Sequence, residues 1–598
     1  MPKSAQTKIS QDLPQWDLSH LYSGPDAPAL QTDLDEAERR AQAFERTYAG
    51  KLAGLDGGVF ALAIKDYEAI TESLHLAMSY GQLLFAVNTS DAEVGRFYQT
   101  LNERVTDIST ATLFFTLEIN RLDDATLDNL LTDPGAAHYA PWLRELRQFR
   151  PHQLSDEMEK LLHEKSVTGR AAWVRLFEET FSDMRFDVEG VGKARTQSQV
   201  MNLLSDRDGA KRKAAAQALG QELGKHIRLL SLITNTLAKD KEIEDRWRHY
   251  PRPVSERNLA NEVEDEVVDA LVSSVQGAYG DLSHRYYALK AKWFGVEALD
   301  YWDRNAPLPD DASALYSWDD ARQLVLDAYG DFTPQMAEVA ARFFAEGWID
   351  ARPSEGKDSG AFAHPVVPSA HPYILLNFHG KARDVMTLAH ELGHGVHQVL
   401  AAKQGTLMAN TPLTTAETAS VFGEMLTFRK MVEGETDPKR RRILLAGKVE
   451  DMLNTVVRQV AFHEFERRVH DERRAGELSS DRLGQIWMDV QGESLGPAIR
   501  LDDHYRHFWS YIPHFVHTPF YVYAYAFGDC LVNSLYSVFA DGHQGFQQKY
   551  LDMLATGGTK RHKELLAPFG LDASDPQFWN QGMGVIRGFI DELEAMEP

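Results

Sequence analysis

The sequence has little cysteine, no excess of positive charge and no long uninterrupted apolar run. Cys530 is the single cysteine among 598 residues, which excludes a disulfide within the chain and is typical of a reducing compartment. Asp and Glu total 88 against 63 Lys and Arg, so the formal net charge is -25. Binding of nucleic acid through phosphate neutralisation is therefore not expected.

Two further absences concern secretion and the membrane. The first residues, Met-Pro-Lys-Ser-Ala-Gln-Thr-Lys, lack the apolar segment that follows the charges of a secretory signal. The most apolar long window, 520–540, contains Asp529 and Asn533, which favours a buried helix over a membrane span. We therefore expect a soluble, cytoplasmic protein that does not contact a membrane.

Helical periodicity dominates the chain. From about residue 28 to 184 apolar residues recur at helical spacing in segments broken by short turns, and helices return after residue 380. The sequence predicts a mostly α protein with a small β element, a helical lobe over 1–190 and a second domain over 191–598. Strand-like signals occur at 299–302, 348–350 and 361–378, with 185–190 as a possible strand or linker.

One stretch combines metal-binding residue types with helical spacing. It is Thr-Leu-Ala-His-Glu-Leu-Gly-His-Gly-Val-His-Gln at 387–398. His390 and His394 are four residues apart, so a helix places one above the other. Two imidazoles arranged in this way can bind one zinc ion, and Glu391 beside them can act as general base for the attacking water. The sequence therefore predicts a peptidase with one Zn²⁺ per chain.

The residues flanking these polar side chains are apolar. They are Val385, Met386, Leu388, Ala389, Leu392, Val396, Val399 and Leu400. This mixture favours a largely buried helix with one polar stripe over a solvated helix face. A buried polar stripe needs partners, and a metal ion supplies one.

A catalytic zinc usually takes three protein ligands. Besides His390 and His394, three residues of this sequence are candidates for the third ligand. Glu417 and Glu424, seven residues apart, face the same side of a predicted helix. We prefer Glu417 as ligand and Glu424 as the acceptor that orients a ligand imidazole, although Thr414-x-x-Glu417 also fits a capping box. His397 is the alternative third ligand, but it lies about two turns (~10 Å) along the helix from His390.

Six other stretches of the chain, together with the zinc motif, carry a resemblance to a known family. They are Trp-Asp-Leu-Ser-His-Leu-Tyr at 16–22, Lys-Asp-Ser-Gly-Ala-Phe at 357–362, Tyr-Ile-Leu-Leu-Asn-Phe at 373–378, Ala-Glu-Thr at 416–418, His-Phe-Val-His-Thr-Pro-Phe-Tyr-Val-Tyr at 514–523 and Gly-Gly-Thr-Lys at 557–560. With these stretches in this order, the chain resembles the oligoendopeptidase F family of zinc metallopeptidases, which includes thimet oligopeptidase and neurolysin.

The resemblance implies a nearly all-helical, elongated, two-lobed fold. Its deep substrate channel admits short peptides and excludes folded proteins. The resemblance also implies His390 and His394 as zinc ligands, Glu391 as catalytic base and Glu417 as third ligand. Val421 stands four residues after Glu417, where thermolysin-type sites have aspartate, so the outer part of the site departs from that arrangement.

The family also uses a histidine and tyrosines near the C-terminal part of the chain. They bind substrate and stabilise the transition state. The resemblance nominates His514, Tyr521 and Tyr525 for these roles, with His517 as the alternative histidine. Packing of the tyrosines in an aromatic core is the structural alternative.

The leading hypothesis is a zinc oligopeptidase that cleaves internal bonds of short peptides. Residues 373–378 are either an edge strand along which such a peptide lies or an ordinary buried strand. The alternatives to peptide cleavage are a catalytically silent peptide-binding scaffold, which the intact zinc motif argues against, and a zinc hydrolase with another substrate. No feature of the sequence indicates an oligomeric state.

Overall fold

The structure is a computed structural model that describes residues 13–166, 168–309, 315–358 and 360–596. Helices dominate, which confirms the predicted mostly α class. The α-helices are α1 (Pro28–Tyr48), α2 (Gly57–Val87), α3 (Ala92–Thr110), α4 (Leu113–Arg121), α5 (Asp124–Leu130), α6 (Pro134–Ala137), α7 (Ala140–Arg147), α8 (Asp156–Ser166), α9 (Arg170–Asp183), α10 (Gln197–Leu203), α11 (Gly209–Trp247), α12 (Ser255–Ala260), α13 (Asp265–Gly277), α14 (Arg285–Trp293), α15 (Trp318–Phe332), α16 (Pro334–Ala345), α17 (Ala382–Ala401), α18 (Leu413–Ala416), α19 (Ser420–Gly434), α20 (Pro438–Thr455), α21 (Val457–Arg473), α22 (Ser480–Leu495), α23 (His514–His517), α24 (Tyr523–Ala540), α25 (Phe546–Leu554), α26 (His562–Leu566) and α27 (Pro576–Ala595).

Strands and tight helical turns are short. The strands are β1 (Phe186–Val188), β2 (Gly192–Arg195), β3 (Leu299–Asp300), β4 (Ile349–Asp350), β5 (Phe362–His364), β6 (Tyr373–Leu375) and β7 (Ile499–Arg500). The 3₁₀ turns are Leu18–His20, Leu52–Gly54, Arg150–His152, Tyr301–Asp303, Ala402–Gln404, Asp503–Tyr511, Gly557–Thr559 and Ala567–Phe569, and Gly280–His284 is a π turn. The strand signals predicted in the middle of the chain are confirmed by β3 to β6.

The chain folds as two compact units, each assembled from separate stretches. The first unit contains Met1–Arg150, Ser313–Gly434 and Gly542–Gly570. The second contains Pro151–Ala312, Glu435–Asp541 and Leu571–Pro598. Residue 190 lies within the second unit, and the division into domains 1–190 and 191–598 stays a prediction.

Amphipathic helices build the core of the first unit. α1 buries Leu30, Leu34 and Phe44 at helical spacing, and these residues join a cluster with the apolar face of α2. Asp56 precedes α2 and its side chain accepts the Val59 N–H at 2.9 Å, which satisfies a donor at the helix start.

A small sheet in the first unit lies beside α17. Its order is β4-β6-β5, with β4 parallel and β5 antiparallel to β6. β6 is therefore the central strand, and its residues Tyr373–Leu375 are buried. The interpretation of 373–378 as an edge strand is wrong, because β6 has a hydrogen-bonded neighbour on each side.

In the second unit, the apolar window predicted to be a buried helix forms α24. α24 packs against α27 and α21. Its polar residues are paired inside, since the Asn533 amide donates to the Asp529 carboxylate at 2.9 Å. Within the part of the chain that the structure describes, no helix has the length and apolarity that a membrane span requires.

Candidate metal centre

α17 presents the predicted metal-binding residues from a well-anchored helix. The Asp384 side chain accepts the backbone N–H groups of His379 and Lys381 at 2.8 and 3.0 Å, which fixes the helix start. Val385, Leu388, Ala389, Leu392 and Val396 are fully buried along one side. The predicted pattern of an apolar helix with one polar stripe is confirmed.

The polar stripe brings two imidazoles and a carboxylate together. The His390 and His394 rings have centroids 4.9 Å apart. Glu417 Oε2 lies 3.3 Å from His390 Nε2 and 3.5 Å from His394 Nε2. Among the described residues, these three form the group of His, Cys, Asp or Glu side chains whose ligand atoms lie within 4.8 Å of one another.

This donor set fits a zinc ion. Zinc prefers imidazole nitrogen and carboxylate oxygen, and catalytic sites use three protein ligands with one open position. His390, His394 and Glu417 supply two nitrogens and one oxygen that converge on one point. The residues present can therefore hold the metal that the sequence predicted.

Glu417 reaches this point from a turn rather than from the helix that carries Glu424. α18 ends at Ala416, residues 417–419 form a turn, and α19 begins at Ser420. The expectation that both glutamates share a face of one helix is wrong. The capping-box alternative is not formed either, since Pro412 precedes α18 in the N-cap position.

The turn approaches α17 closely because Gly393 has no side chain. A Cβ at Gly393 would lie 2.3 Å from the Ala419 carbonyl oxygen and 2.6 Å from Ser420 Cα. Both contacts are with backbone, so no rotamer change could relieve them. Gly393 thus permits the contact between α17 and the turn that places Glu417.

Two further side chains contact this group of residues. Glu424 Oε2 lies 3.2 Å from His390 Nδ1, the position from which a carboxylate orients a ligand imidazole. The Ser420 hydroxyl donates to Glu417 Oε2 at 2.6 Å. These contacts support the role predicted for Glu424 and add Ser420, which the sequence analysis did not single out.

The carboxylates of Glu417 and Glu424 strongly shift the pKa of His390. Burial lowers the pKa of His390, but hydrogen bonds with Glu417 and Glu424 outweigh burial and raise it to about 10. Burial raises the pKa of Glu417, whereas the hydrogen bond with His390 and the charge of His394 bring it down to about 2. Glu417 is consequently a carboxylate over the whole physiological pH range.

Glu391 has the environment of a general base. Its side chain is buried, at 6% exposure. Burial raises the pKa of Glu391 to about 7, although the charge of His390 and a hydrogen bond with the Ala363 backbone oppose the rise. A base whose pKa lies near the working pH transfers protons efficiently in both directions.

His397 lies on α17 but outside the converging group. It is buried, at 6% exposure, and burial followed by the charge of His394 lowers its pKa to about 4. A cavity of about 200 Å³ is lined by both His394 and His397. His397 as third ligand stays an untested alternative to Glu417.

His514, Tyr521 and Tyr525 lie in the second unit and form one cluster. His514 Nε2 is 3.3 Å from the Tyr525 hydroxyl, and its ring centroid is 5.8 Å from that of Tyr521. His517 instead contacts Glu178, with Nε2 3.4 Å from the carboxylate. All three clustered side chains are partly exposed, so they are accessible to a ligand.

A backbone turn with positive φ lies between His514 and Tyr521. Phe520 has φ 60°, an unfavourable conformation for a side chain of its size. The buried Glu466 side chain accepts the Phe520 N–H through Oε1 at 2.8 Å and stabilises the turn. Nothing in the local sequence signals this contact, because the two residues are far apart in the chain.

Lys357, in the stretch 357–362, connects strands of the sheet beside α17. Its buried amino group donates to Asp350 Oδ1 at 2.6 Å and to the Asp350, Arg352 and Leu376 carbonyls at 2.8–3.1 Å. These bonds join β4 to the end of β6 and stiffen the sheet beside α17.

Comparison with known proteins covers nearly the whole chain. Over 549 residues it is 27% identical to oligopeptidase PepF of Bacillus subtilis, spanning 89% of this chain and 81% of that protein. It is 24% identical to an oligoendopeptidase F homolog of Borreliella burgdorferi, in an alignment that spans 97% of this chain and 98% of that protein. The solved structure of oligoendopeptidase-F from Enterococcus faecium has the same fold, with a TM-score of 0.71 at 21% identity over 95% of this chain and 97% of that one.

Two family models match the sequence in separate regions. The model of the Oligopeptidase F family matches residues 118–186. The model of Peptidase family M3 matches residues 202–585, more than half of the chain, and this range includes α17 and the turn that carries Glu417. The resemblance to oligoendopeptidase F is confirmed, and the chain belongs to Peptidase family M3 and is a metallopeptidase.

Proposed function

We propose that the protein is a zinc-dependent oligoendopeptidase that hydrolyses internal bonds of short peptides. Membership of a metallopeptidase family establishes the reaction class. The observation that carries the assignment of the site is the convergence of His390, His394 and Glu417 on one point beside Glu391. One zinc ion per chain held there would supply Lewis acidity for the scissile carbonyl and make water a stronger acid.

Protein side chains transfer the proton and position the zinc ligands in this proposal. Glu391, with its pKa raised to about 7, takes a proton from the attacking water and delivers it to the leaving amine. Glu424 holds the His390 ring so that Nε2 faces the metal position, and Ser420 does the same for Glu417 Oε2.

Substrate binding is assigned to two groups of residues. β5 is the edge strand of the sheet and lies beside α17, so we propose that an extended peptide lies along it. His514, Tyr521 and Tyr525 are proposed to bind substrate and to donate hydrogen bonds to the developing oxyanion. The contact of His517 with Glu178 supports His514 as the histidine of this set.

The wider properties of the protein are proposed on the same basis. We infer that the substrates are short peptides, that the protein acts in the cytoplasm, and that it has no nucleic-acid partner. The single, buried cysteine and the net charge of -25 support the last two inferences.

The experiment is a metal-reversible cleavage assay on a mixed peptide library. Dialysed, metal-free protein should be inactive and should regain cleavage at internal bonds when one equivalent of zinc is added. A matched pair of variants, Glu417→Gln and His397→Gln, identifies the third ligand. Loss of zinc only in His397→Gln would overturn the assignment of Glu417, and a zinc-loaded protein that cleaves no peptide would overturn the function.

A further inference from the structure

The second unit contains a cavity that the proposed mechanism does not use. Its volume is about 230 Å³, and its wall includes Tyr301, Arg304, Arg458, Tyr505 and Tyr511. Arg304 follows the 3₁₀ turn after β3, Arg458 lies on the first turn of α21, and the tyrosines at 505 and 511 come from one 3₁₀ segment. Three separate parts of the chain thus bring two guanidinium groups to one pocket.

Among the described residues, the two arginines have no acidic partner. Each has a buried Nε atom without a hydrogen-bond partner. Across the described residues, neither guanidinium forms an ion pair with an Asp or Glu. Arg458 has a 3.5 Å contact from Nη2 to the Tyr511 hydroxyl and lies 5.0 Å from the centre of the Phe462 ring. Arg304 has a hydrogen bond with the Tyr505 side chain. A partly buried, unpaired charge is costly, so two of them beside one cavity require an explanation.

Two neighbouring cations in the same unit do have acidic partners. Lys290 is matched by Glu450 at 2.5 Å, and Arg212 is matched by Asp303 at 2.7 Å. Burial, followed by the positive charge of the other arginine, lowers the pKa of Arg458. The local surplus of two positive charges is therefore specific to the cavity.

Much of the remaining wall is aromatic. The Tyr301 ring packs against Tyr505 and Phe508 with centroid distances of 4.8 and 5.6 Å. Burial, followed by the charge of nearby Asp502, raises the pKa of Tyr301, so its hydroxyl remains protonated. The cavity accordingly combines a cationic end with an apolar wall.

We propose that this cavity binds a small organic carboxylate. The planar guanidinium groups of Arg304 and Arg458 match the two oxygens of a carboxylate, and the apolar part of the ligand packs on the aromatic wall. A free acid and the C-terminus of a short peptide carry the same chemistry. This site is independent of the proposed zinc chemistry.

The test is calorimetric titration and thermal unfolding of the full chain, with and without zinc, so that binding at the metal centre is distinguished. The probes are benzoate for a free acid and the dipeptide Gly-D-Phe for a peptide C-terminus, each beside its neutral amide. One acid should bind with a stoichiometry of one and raise the unfolding temperature, and its amide should not. Inorganic phosphate is the third arm.

Matched variants locate the binding. Arg458→Met and Arg304→Met should each weaken acid binding at least tenfold without lowering the unfolding temperature of the ligand-free protein, because neither arginine has a counter-ion to lose. Arg175→Met, at an exposed position on α9, should bind as the native protein does. Equal binding in Arg458→Met, binding of phosphate alone, or no preference of the native protein for an acid over its amide would each overturn the proposal.

Discussion

Replacing Gly393 by alanine tests whether close packing of α17 against the following turn places Glu417. The added Cβ would lie 2.3 Å from the Ala419 carbonyl oxygen. Cβ atoms essentially never approach closer than 3.0 Å, so the turn must retreat by at least about 0.7 Å. Glu417 is two residues before Ala419 and must move with it.

The magnitude follows from the tolerance of metal sites. Ligand distances vary by only about 0.2 Å around their ideal values, so a displacement of about 0.7 Å is too large to absorb unchanged. We expect zinc affinity to fall about 10- to 100-fold, the range seen when groups that support a ligand are lost. The overpacking costs about 1–3 kcal/mol, partly offset by about 1 kcal/mol from the better helix propensity of alanine.

The assay is competition for zinc with a chelator, together with thermal unfolding of the metal-free protein. Gly447→Ala is the matched control, because Gly447 lies within α20 and an added Cβ would meet no atom within 4 Å. The control should bind zinc normally and be slightly more stable. Native zinc affinity and native stability in Gly393→Ala would refute the reasoning that the missing side chain places the turn.

Three further predictions concern other parts of the protein. Glu424→Gln should lower zinc affinity about 10- to 100-fold with the fold intact, since it weakens the acceptor for His390; unchanged affinity in chelator competition would remove its orienting role. Burial raises the pKa of Glu466 to about 8, so its contribution to stability is present below about pH 4.5 and is lost as the pH rises through 8. Glu466→Gln keeps an acceptor for the Phe520 N–H but cannot ionise. The free energy of unfolding of Glu466→Gln minus that of the native protein, measured by denaturation, should be roughly 2–5 kcal/mol larger at pH 9 than at pH 4. A difference that does not change with pH would contradict this prediction. Removing zinc should lower the free energy of unfolding by about 4 kcal/mol when free zinc had been 1,000 times its Kd, and an unfolding temperature insensitive to zinc would disprove binding to the folded state.

The sequence predicted α17 and its polar stripe well because their signal is local. His390, Glu391 and His394 lie within one helical turn and a half, and the apolar flanks indicate which side of the helix is buried. The buried helix at 520–540 was predicted for the same reason. In both cases, the periodicity of one segment contains the information.

The features that were missed depend on contacts between distant segments. A break at 417–419 cannot be read from helical spacing, since Glu417 and Glu424 also fit an uninterrupted helix. The central position of β6 depends on which strands pair with it. The supporting contact of Glu466 with Phe520, and the role of Gly393 against Ala419, exist only after the chain has folded.

The most direct test of the central claim compares zinc content and peptide hydrolysis in the native protein and in Glu391→Gln. Glutamine keeps the size of the side chain but cannot accept the proton from water. The account predicts about one zinc per chain in both proteins and cleavage only by the native one. If both proteins hold zinc and cleave alike, Glu391 is not the base and the proposed mechanism is contradicted.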